Sequence, residues 1–109
     1  MGSKRYTVLW SHDAERDLDE ILGYIAGDSP QAAIRVCERL ERRAAALERV
    51  PFRGRVVPEL ARLGIDRWRE LIESPHRIVY EVSGRTVHVM AVLDGRRKLD
   101  ELLMRRLMR

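Results

Sequence analysis

The fold is decided by residues 76–93, which read HRIVYEVSGRTVHVMAVL. Apolar and polar side chains alternate on both sides of the Ser83-Gly84 pair, and this period of two predicts two strands joined by a tight turn. The strands are predicted over residues 76–82 and 86–93, with Tyr80 opposite Val87. So short a connection requires them to be antiparallel neighbours.

The two faces of this hairpin differ in character. One face is apolar and is predicted to pack on helices; it carries Ile78, Tyr80, Val82, Val87, Val89 and Ala91. The other face carries Arg77, Val79, Glu81, Thr86, His88, Met90 and Val92. This mixed face is too polar for a core and too apolar for a fully solvated surface, so we expect something to cover it.

The segments before the hairpin supply two helices and two further strands. Residues 5–10 and 68–72 are rich in aromatic and apolar types and are predicted strands. Apolar residues at helical spacing predict one helix from the cap Ser11 to about residue 26, and a second from the cap Ser29 to residue 50. Because the turn between them is short, these helices should form an antiparallel hairpin. Residues 52–66 contain two glycines and a proline, and they predict a loop with one short helical turn.

The C-terminal residues complete the predicted fold. Leucines recur among charged residues after residue 98, which predicts a short basic amphipathic helix. The order is therefore β-α-α-β-β-β followed by this helix. It predicts an α+β fold in which a helical hairpin packs on a small antiparallel sheet, in one domain that spans residues 1–109.

Arginine dominates the charge of the chain. Among 109 residues, 21 are Lys or Arg and 17 are Asp or Glu, and the formal net charge is +4. Only Lys4 and Lys98 are lysines, and residues 51–109 hold 13 basic and 8 acidic groups. Because guanidinium binds phosphate or carboxylate through two parallel hydrogen bonds, an anionic partner is favoured, either nucleic acid or an acidic protein segment. Ion pairing within the fold, with Glu59, Glu70 or Glu81, is the alternative role for these arginines.

Several classes of function lack the residues they need. Cys37 is the single cysteine, so the chain forms no internal disulfide. HExxH, CxxC, GxxxxGKS and GxSxG motifs are absent, and no metal or other cofactor is predicted. No apolar run approaches the ~20 residues of a membrane span, so we expect a cytoplasmic protein without a membrane partner.

Short motifs in a characteristic order span nearly the whole chain. They are Tyr6-Thr7-Val8-Leu9-Trp10-Ser11, Asp17-Leu18-Asp19-Glu20-Ile21, Asp28-Ser29-Pro30, Gly54-Arg55-Val56-Val57-Pro58-Glu59-Leu60, Arg69-Glu70-Leu71, His76-Arg77-Ile78-Val79-Tyr80 and Gly95-Arg96-Arg97. In this order and spacing the chain resembles the RelE/ParE superfamily of toxins from bacterial toxin-antitoxin modules, closer to ParE. The resemblance implies a cognate antitoxin that binds the chain tightly, in a hetero-oligomer.

The resemblance also implies two alternative activities. RelE-like members cut mRNA on the ribosome, and ParE-like members block DNA gyrase. The endonuclease pattern has arginines that match Arg77 and Arg97, and both are present. Its two strand lysines fall on Trp68 and Glu70, and its tyrosine falls near Leu103, so the groups that would transfer protons are missing. Arginine cannot replace them, because its pKa above ~12 leaves no free base near neutral pH.

Histidine is the side-chain type suited to proton transfer near pH 7, and His88 lies on the same predicted face as Arg77. With Glu70 to orient it, His88 would act as a base beside Arg77 and Arg97. A partly exposed strand histidine without a catalytic role is the alternative interpretation.

The sequence therefore predicts a ParE-like inhibitor of DNA gyrase that has no catalytic residues. The alternative is a metal-independent, ribosome-dependent mRNA endonuclease that uses Arg77, Arg97 and His88, and a third interpretation is a basic nucleic-acid-binding module without toxicity. The predicted partner-binding residues are Arg69, Arg77, Arg96, Arg97, Leu99, Leu103, Arg105 and Arg106. For the leucines among them, packing in the core is the alternative role.

Overall fold

The computed structural model describes residues 5–95 and 99–107, with side chains of the last segment at residues 102–106. The elements are β1 (Thr7–Trp10), α1 (His12–Ala26), α2 (Pro30–Ala45), a 3₁₀ turn (Ala46–Glu48), β2 (Arg55–Val56), α3 (Pro58–Ala61), β3 (Trp68–Glu73), β4 (His76–Ser83), β5 (Thr86–Asp94) and α4 (Leu99–Leu107). The predicted α+β class is confirmed. Within the described residues, no helix is long and apolar enough to cross a membrane.

Both long helices begin at the predicted caps. The Ser11 hydroxyl accepts the Ala14 N–H at 3.0 Å, and the Ser29 hydroxyl accepts the Ala32 N–H at 3.1 Å. These bonds satisfy N–H groups that lack partners within the first turn of a helix. The Ser11 hydroxyl also donates to the Met90 carbonyl at 3.3 Å, so the same side chain ties the start of α1 to β5.

The five strands form one sheet in the order β1-β5-β4-β3-β2. The sheet is mixed, because β1 pairs with β5 in parallel while the other neighbours are antiparallel. The expectation of an antiparallel sheet was therefore wrong for β1. A parallel neighbour needs a long crossover, and the helical hairpin after β1 supplies one. The two-residue β2 lies inside the stretch that we expected to be a loop.

The β4-β5 register differs from the predicted one. The turn is Gly84-Arg85, so Ser83 lies opposite Thr86 and Tyr80 lies opposite Val89. Gly84 has a φ of 59°, and a two-residue turn with glycine in first place has the twist that matches its strands.

A bulge in β5 shifts the two faces beyond this point. Tyr80 lies opposite Val89 while Val79 lies opposite Ala91, so Met90 is an extra residue on β5. Because one added residue reverses the alternation, Ala91 lies on the mixed face and Val92 lies on the helix face. The predicted faces of Ala91 and Val92 were wrong for this reason.

Each face of the sheet carries a core. The α1-α2 hairpin packs on one face around Ala14, Leu18, Leu40, Ala44, Leu47, Leu71, Ile78, Tyr80, Val87, Val89 and Val92. On the mixed face, α3 and α4 enclose a second core of Val57, Leu60, Trp68, Val79, Ala91, Leu93 and Leu103. The expected cover of the mixed face is thus supplied by the chain itself.

Candidate functional site

A network of four charged side chains lies on the mixed face, and we call it the Arg77 network. Arg77 Nε donates to Glu70 Oε1 at 2.6 Å. Its two terminal nitrogens each donate to one oxygen of Glu59 at 2.8 Å. Glu70 Oε2 accepts a hydrogen bond from Arg55 Nε at 2.7 Å. Two arginines and two glutamates therefore neutralise one another.

The Arg77 network is buried at its centre. Arg77 is 8% exposed and Glu70 is 1% exposed. Hydrogen bonds from Arg77 lower the pKa of the Glu59 carboxyl, and the same bonds with Glu59 raise the pKa of Arg77. Both groups are therefore charged at neutral pH. An incoming phosphate would have to displace a paired carboxylate to reach the Arg77 guanidinium.

The chain leaves the sheet beside Arg77. The Gly95 N–H donates to the Pro75 carbonyl at 2.7 Å, and a Cβ on Gly95 would lie 3.2 Å from the same oxygen and 3.5 Å from Arg77 Cδ. Glycine fits this close approach without displacing the arginine. Arg96 and Arg97 follow directly, but they lie outside the described residues.

His88 lies at the other end of the mixed face. It is partly exposed and pairs with Glu81 across β4 and with Leu9 across β1. Glu81 is four residues beyond Arg77 on β4, which corresponds to about 13 Å along the strand. Both oxygens of Glu70 are bonded to arginines. The structure therefore does not bring His88 together with Arg77, and Glu70 does not orient it.

Arg69 holds the loop before β2. Its Nη1 donates to the Gly54 carbonyl at 2.7 Å, and its guanidinium lies 5.2 Å from the centre of the Phe52 ring. The Gly54 N–H donates to the buried Tyr80 hydroxyl at 2.8 Å. A Cβ at Gly54 would lie 2.7 Å from that hydroxyl, so only glycine fits here. Burial raises the pKa of Tyr80, which keeps the hydroxyl neutral.

Arg106 fixes α4 to α1. Its Nη1 lies 2.5 Å from Asp17 Oδ2, and its Nε lies 3.8 Å from Asp13 Oδ2. Asp17 Oδ2 also accepts the Val92 N–H at 3.0 Å, so a single carboxylate joins α1, β5 and α4. Leu103, one turn before Arg106, is fully buried.

Comparison with known proteins gives the family. Residues 8–99 match the family described as the ParE toxin of the type II toxin-antitoxin system parDE. The chain belongs to this family. The toxin is also 34% identical over 103 residues to a toxin candidate of Sinorhizobium fredii, Y4kP, covering 94% of this chain and all of that protein. Toxin RelE2 of Caulobacter vibrioides is 34% identical, over 83% of this chain and 96% of the relative.

Solved structures share the fold of the toxin. The chromosomal ParDE system from P. aeruginosa superposes with a TM-score of 0.67 at 21% identity, over 84% of this chain and 98% of that one. The toxin-antitoxin complex RelBE2 from Mycobacterium tuberculosis gives a TM-score of 0.57 at 23% identity, over 85% and 94% of the two chains. The predicted superfamily is thus confirmed, and this chain is the toxin component of a type II toxin-antitoxin system.

The predicted partner-binding residues of the toxin now divide by environment. Arg69, Arg77 and Arg106 bind groups within the fold, and Leu103 is buried. Arg105 is exposed. Arg96, Arg97 and the side chain of Leu99 lie outside the described residues. Contact of these residues with a partner stays a prediction.

A cleft that the sequence did not reveal lies between α1, α4 and the neighbouring ends of β4 and β5. Its volume is about 620 Å³. Ile21 and Leu102 contribute apolar walls, Asp17 and Arg106 lie at one end, and Tyr24 on its rim is 85% exposed. The exposed tyrosine was the available signal, since so large an apolar side chain on a helix surface often contacts a partner. No three His, Cys, Asp or Glu side chains of the described residues form a metal site.

Proposed function

We propose that this toxin inhibits DNA gyrase as a binding protein and that a cognate antitoxin neutralises it. The Arg77 network carries the proposal. Cleavage of RNA through its 2′-hydroxyl needs a base, an acid and a cation that faces the phosphate. Arg77 instead faces two carboxylates.

The neighbouring strand positions support the same conclusion. Trp68 and Glu70 stand where the endonuclease pattern has lysines, and they are 2% and 1% exposed. Trp68 belongs to the second core and Glu70 to the Arg77 network. Neither side chain is an exposed, positively charged group that could donate a proton as a lysine would. The ParE family match over residues 8–99 agrees with a gyrase inhibitor.

The alternative activity is cleavage of mRNA on the ribosome. Relatives named RelE and the likeness to the RelBE2 complex favour it, as does the retention of Arg77 and Arg97. In that case His88 would have to act as the base from about 13 Å along the strand from Arg77, or after a rearrangement of the sheet.

Induction of the toxin without its antitoxin separates the two activities. DNA supercoiling and mRNA integrity are measured in the same cells at short times after induction. We expect loss of negative supercoiling with intact mRNA, and inhibition of purified gyrase by the purified chain. Rapid cleavage of mRNA within translated codons, with normal supercoiling, would refute the proposal and establish the endonuclease.

The cleft beside Tyr24 is the surface that we propose for the antitoxin. Its apolar walls suit an apolar side chain of a bound segment, and Tyr24 is free to close over it. Tyr24→Ala should weaken antitoxin binding, whereas Ile34→Ala, at an exposed apolar position of α2 outside the cleft, should not. Equal antitoxin affinities of the two variants, measured by calorimetry, would place the antitoxin elsewhere.

A further inference from the structure

Half of the sixteen arginines of the described residues bind carboxylates or carbonyls of the fold, and three of the others lie close together in the chain. Arg42, Arg49 and Arg53 are exposed and form no ion pair or side-chain hydrogen bond with any described residue. Two carboxylates of the described residues pair with other arginines, Glu48 with Arg5 at 3.5 Å and Glu73 with Arg43 at 3.0 Å. No described carboxylate forms an ion pair with Arg42, Arg49 or Arg53.

These three arginines lie along one continuous stretch of chain. Arg42 is in the last turn of α2, and Arg49 follows the 3₁₀ turn seven residues later. The Arg53 N–H donates to the Val50 carbonyl at 3.1 Å, so residues 50–53 form a turn directly after Arg49. The three arginines therefore lie within one stretch of 12 residues, 42–53, and the exposed Val50 and Phe52 stand between Arg49 and Arg53.

Exposed apolar side chains lie among the arginines. Val50 is 44% exposed and Phe52 is 56% exposed, and they line a shallow hollow of about 460 Å³ with Arg53. The Arg69 guanidinium covers part of the Phe52 ring at 5.2 Å and is itself held by the Gly54 carbonyl. The ring is therefore fixed in place, while more than half of the side chain remains open to solvent.

We propose that Arg42, Arg49, Val50, Phe52 and Arg53, together called the Phe52 surface, bind single-stranded nucleic acid. The guanidinium groups bind phosphates, and a base stacks on the part of the Phe52 ring that is open to solvent. The Arg69 guanidinium already lies over this ring, so the base would add a second stacked group. A duplex fits this surface less well, because its bases are stacked on one another and do not reach the ring. The inference goes beyond the proposed function and involves none of the Arg77 network.

The test measures binding of the full-length toxin to a fluorescein-labelled oligothymidylate of about twelve nucleotides, by fluorescence anisotropy over a range of salt concentrations. Three phosphate contacts predict a slope of log K against log salt of about −2. The triple variant Arg42→Gln, Arg49→Gln, Arg53→Gln should flatten this slope toward zero. Phe52→Ala should weaken binding by roughly 5- to 140-fold, which corresponds to the loss of one stacked base, and Phe52→Trp should restore it.

Matched controls exclude net charge and general surface change. Arg16, Arg62 and Arg85 are also exposed, form no ion pair or side-chain hydrogen bond with a described residue, and lie far apart in the chain. Their triple change to glutamine removes the same charge and should leave the slope near −2. Leu63, at 57% exposure, is the apolar control for Phe52. Circular dichroism and melting temperature establish that every variant is folded.

Three results would overturn the inference. Equal loss of binding in the scattered triple variant would mean that net charge alone attracts the oligonucleotide. Equal affinity for a duplex, with no effect of Phe52→Ala, would exclude base stacking. Displacement of the oligonucleotide by polyglutamate at equal charge concentration would identify an acidic protein as the partner. The assay contains no gyrase, so failure of the proposed function leaves it unaffected.

Discussion

Replacement of Arg77 by methionine tests whether this residue is a structural element of the fold. Methionine keeps the unbranched apolar stem of the side chain but removes all its hydrogen bonds to Glu70 and Glu59. The Glu70 side chain is fully buried and would retain Arg55 alone, while Glu59 would retain no guanidinium of the network. The change therefore leaves the buried Glu70 carboxylate with one of its two arginine partners.

The expected loss of stability is large. Removal of one partner from a buried ion pair costs about 3–5 kcal/mol, and the remaining bond to Arg55 places this case near 3 kcal/mol. For a chain of this length 1 kcal/mol shifts the melting temperature by about 4 °C, so we expect a fall of about 12 °C. Thermal and urea denaturation of the purified toxin, followed by circular dichroism, measure it.

Arg55→Met is the matched control. Arg55 binds the same glutamate but is 60% exposed, and pairs at the surface contribute about 0–1 kcal/mol. We expect this variant to melt within about 4 °C of the unchanged toxin. If Arg77→Met were as stable as Arg55→Met, Arg77 would not hold the fold together. It would then be available for an anionic ligand, as the endonuclease alternative requires.

Three further changes test other parts of the structure. His88→Gln should leave toxicity unchanged, whereas a fall of about 10²- to 10⁴-fold would indicate a catalytic base. Leu103→Ala should lower the unfolding free energy by about 2–5 kcal/mol, because it opens the second core, while the exposed Leu63→Ala should cost less than about 0.5 kcal/mol. Arg77 lowers the pKa of Glu59, so the ionised Glu59 carboxyl contributes fully to folding stability above the usual glutamate pKa of about 4.3. This stability is lost as the pH falls through the lower pKa that Glu59 has in the folded protein. The difference in stability between the toxin and Glu59→Gln should therefore be constant from pH 6 to 7 and shrink in acid.

Elements that depend on local sequence were predicted well. Ser11 and Ser29 cap their helices through N–H groups three residues away, so the signal for each helix start lies within a few residues of the chain. The bulge at Met90 was not predictable in this way. It depends on how β5 pairs with β4 and on what packs against each face, and residues 89–93 are all apolar, so no alternation there marks the shift.

The second core was missed for a related reason. The mixed face carries Arg77 and His88 as well as the apolar Val79, and charged or polar side chains are seldom part of a hydrophobic core. Arg77 is compatible with burial because Glu70 and Glu59 accept hydrogen bonds from all three nitrogens of its guanidinium group. These two glutamates are 7 and 18 residues away in the chain. The sequence identified Glu59 and Glu70 as candidate partners but could not decide between them and an external phosphate.

This division among arginines changes how a loss of toxicity should be interpreted. Arg69, Arg77 and Arg106 hold the loop before β2, the Arg77 network and α4, so their replacement would reduce toxicity through folding alone. Arg53 and Arg105 have no such contacts among the described residues, and their replacement should leave the melting temperature unchanged. A substitution therefore identifies a contact with gyrase or nucleic acid only when toxicity falls while stability does not. The exposed arginines that have no partner among the described residues are the ones able to meet that condition.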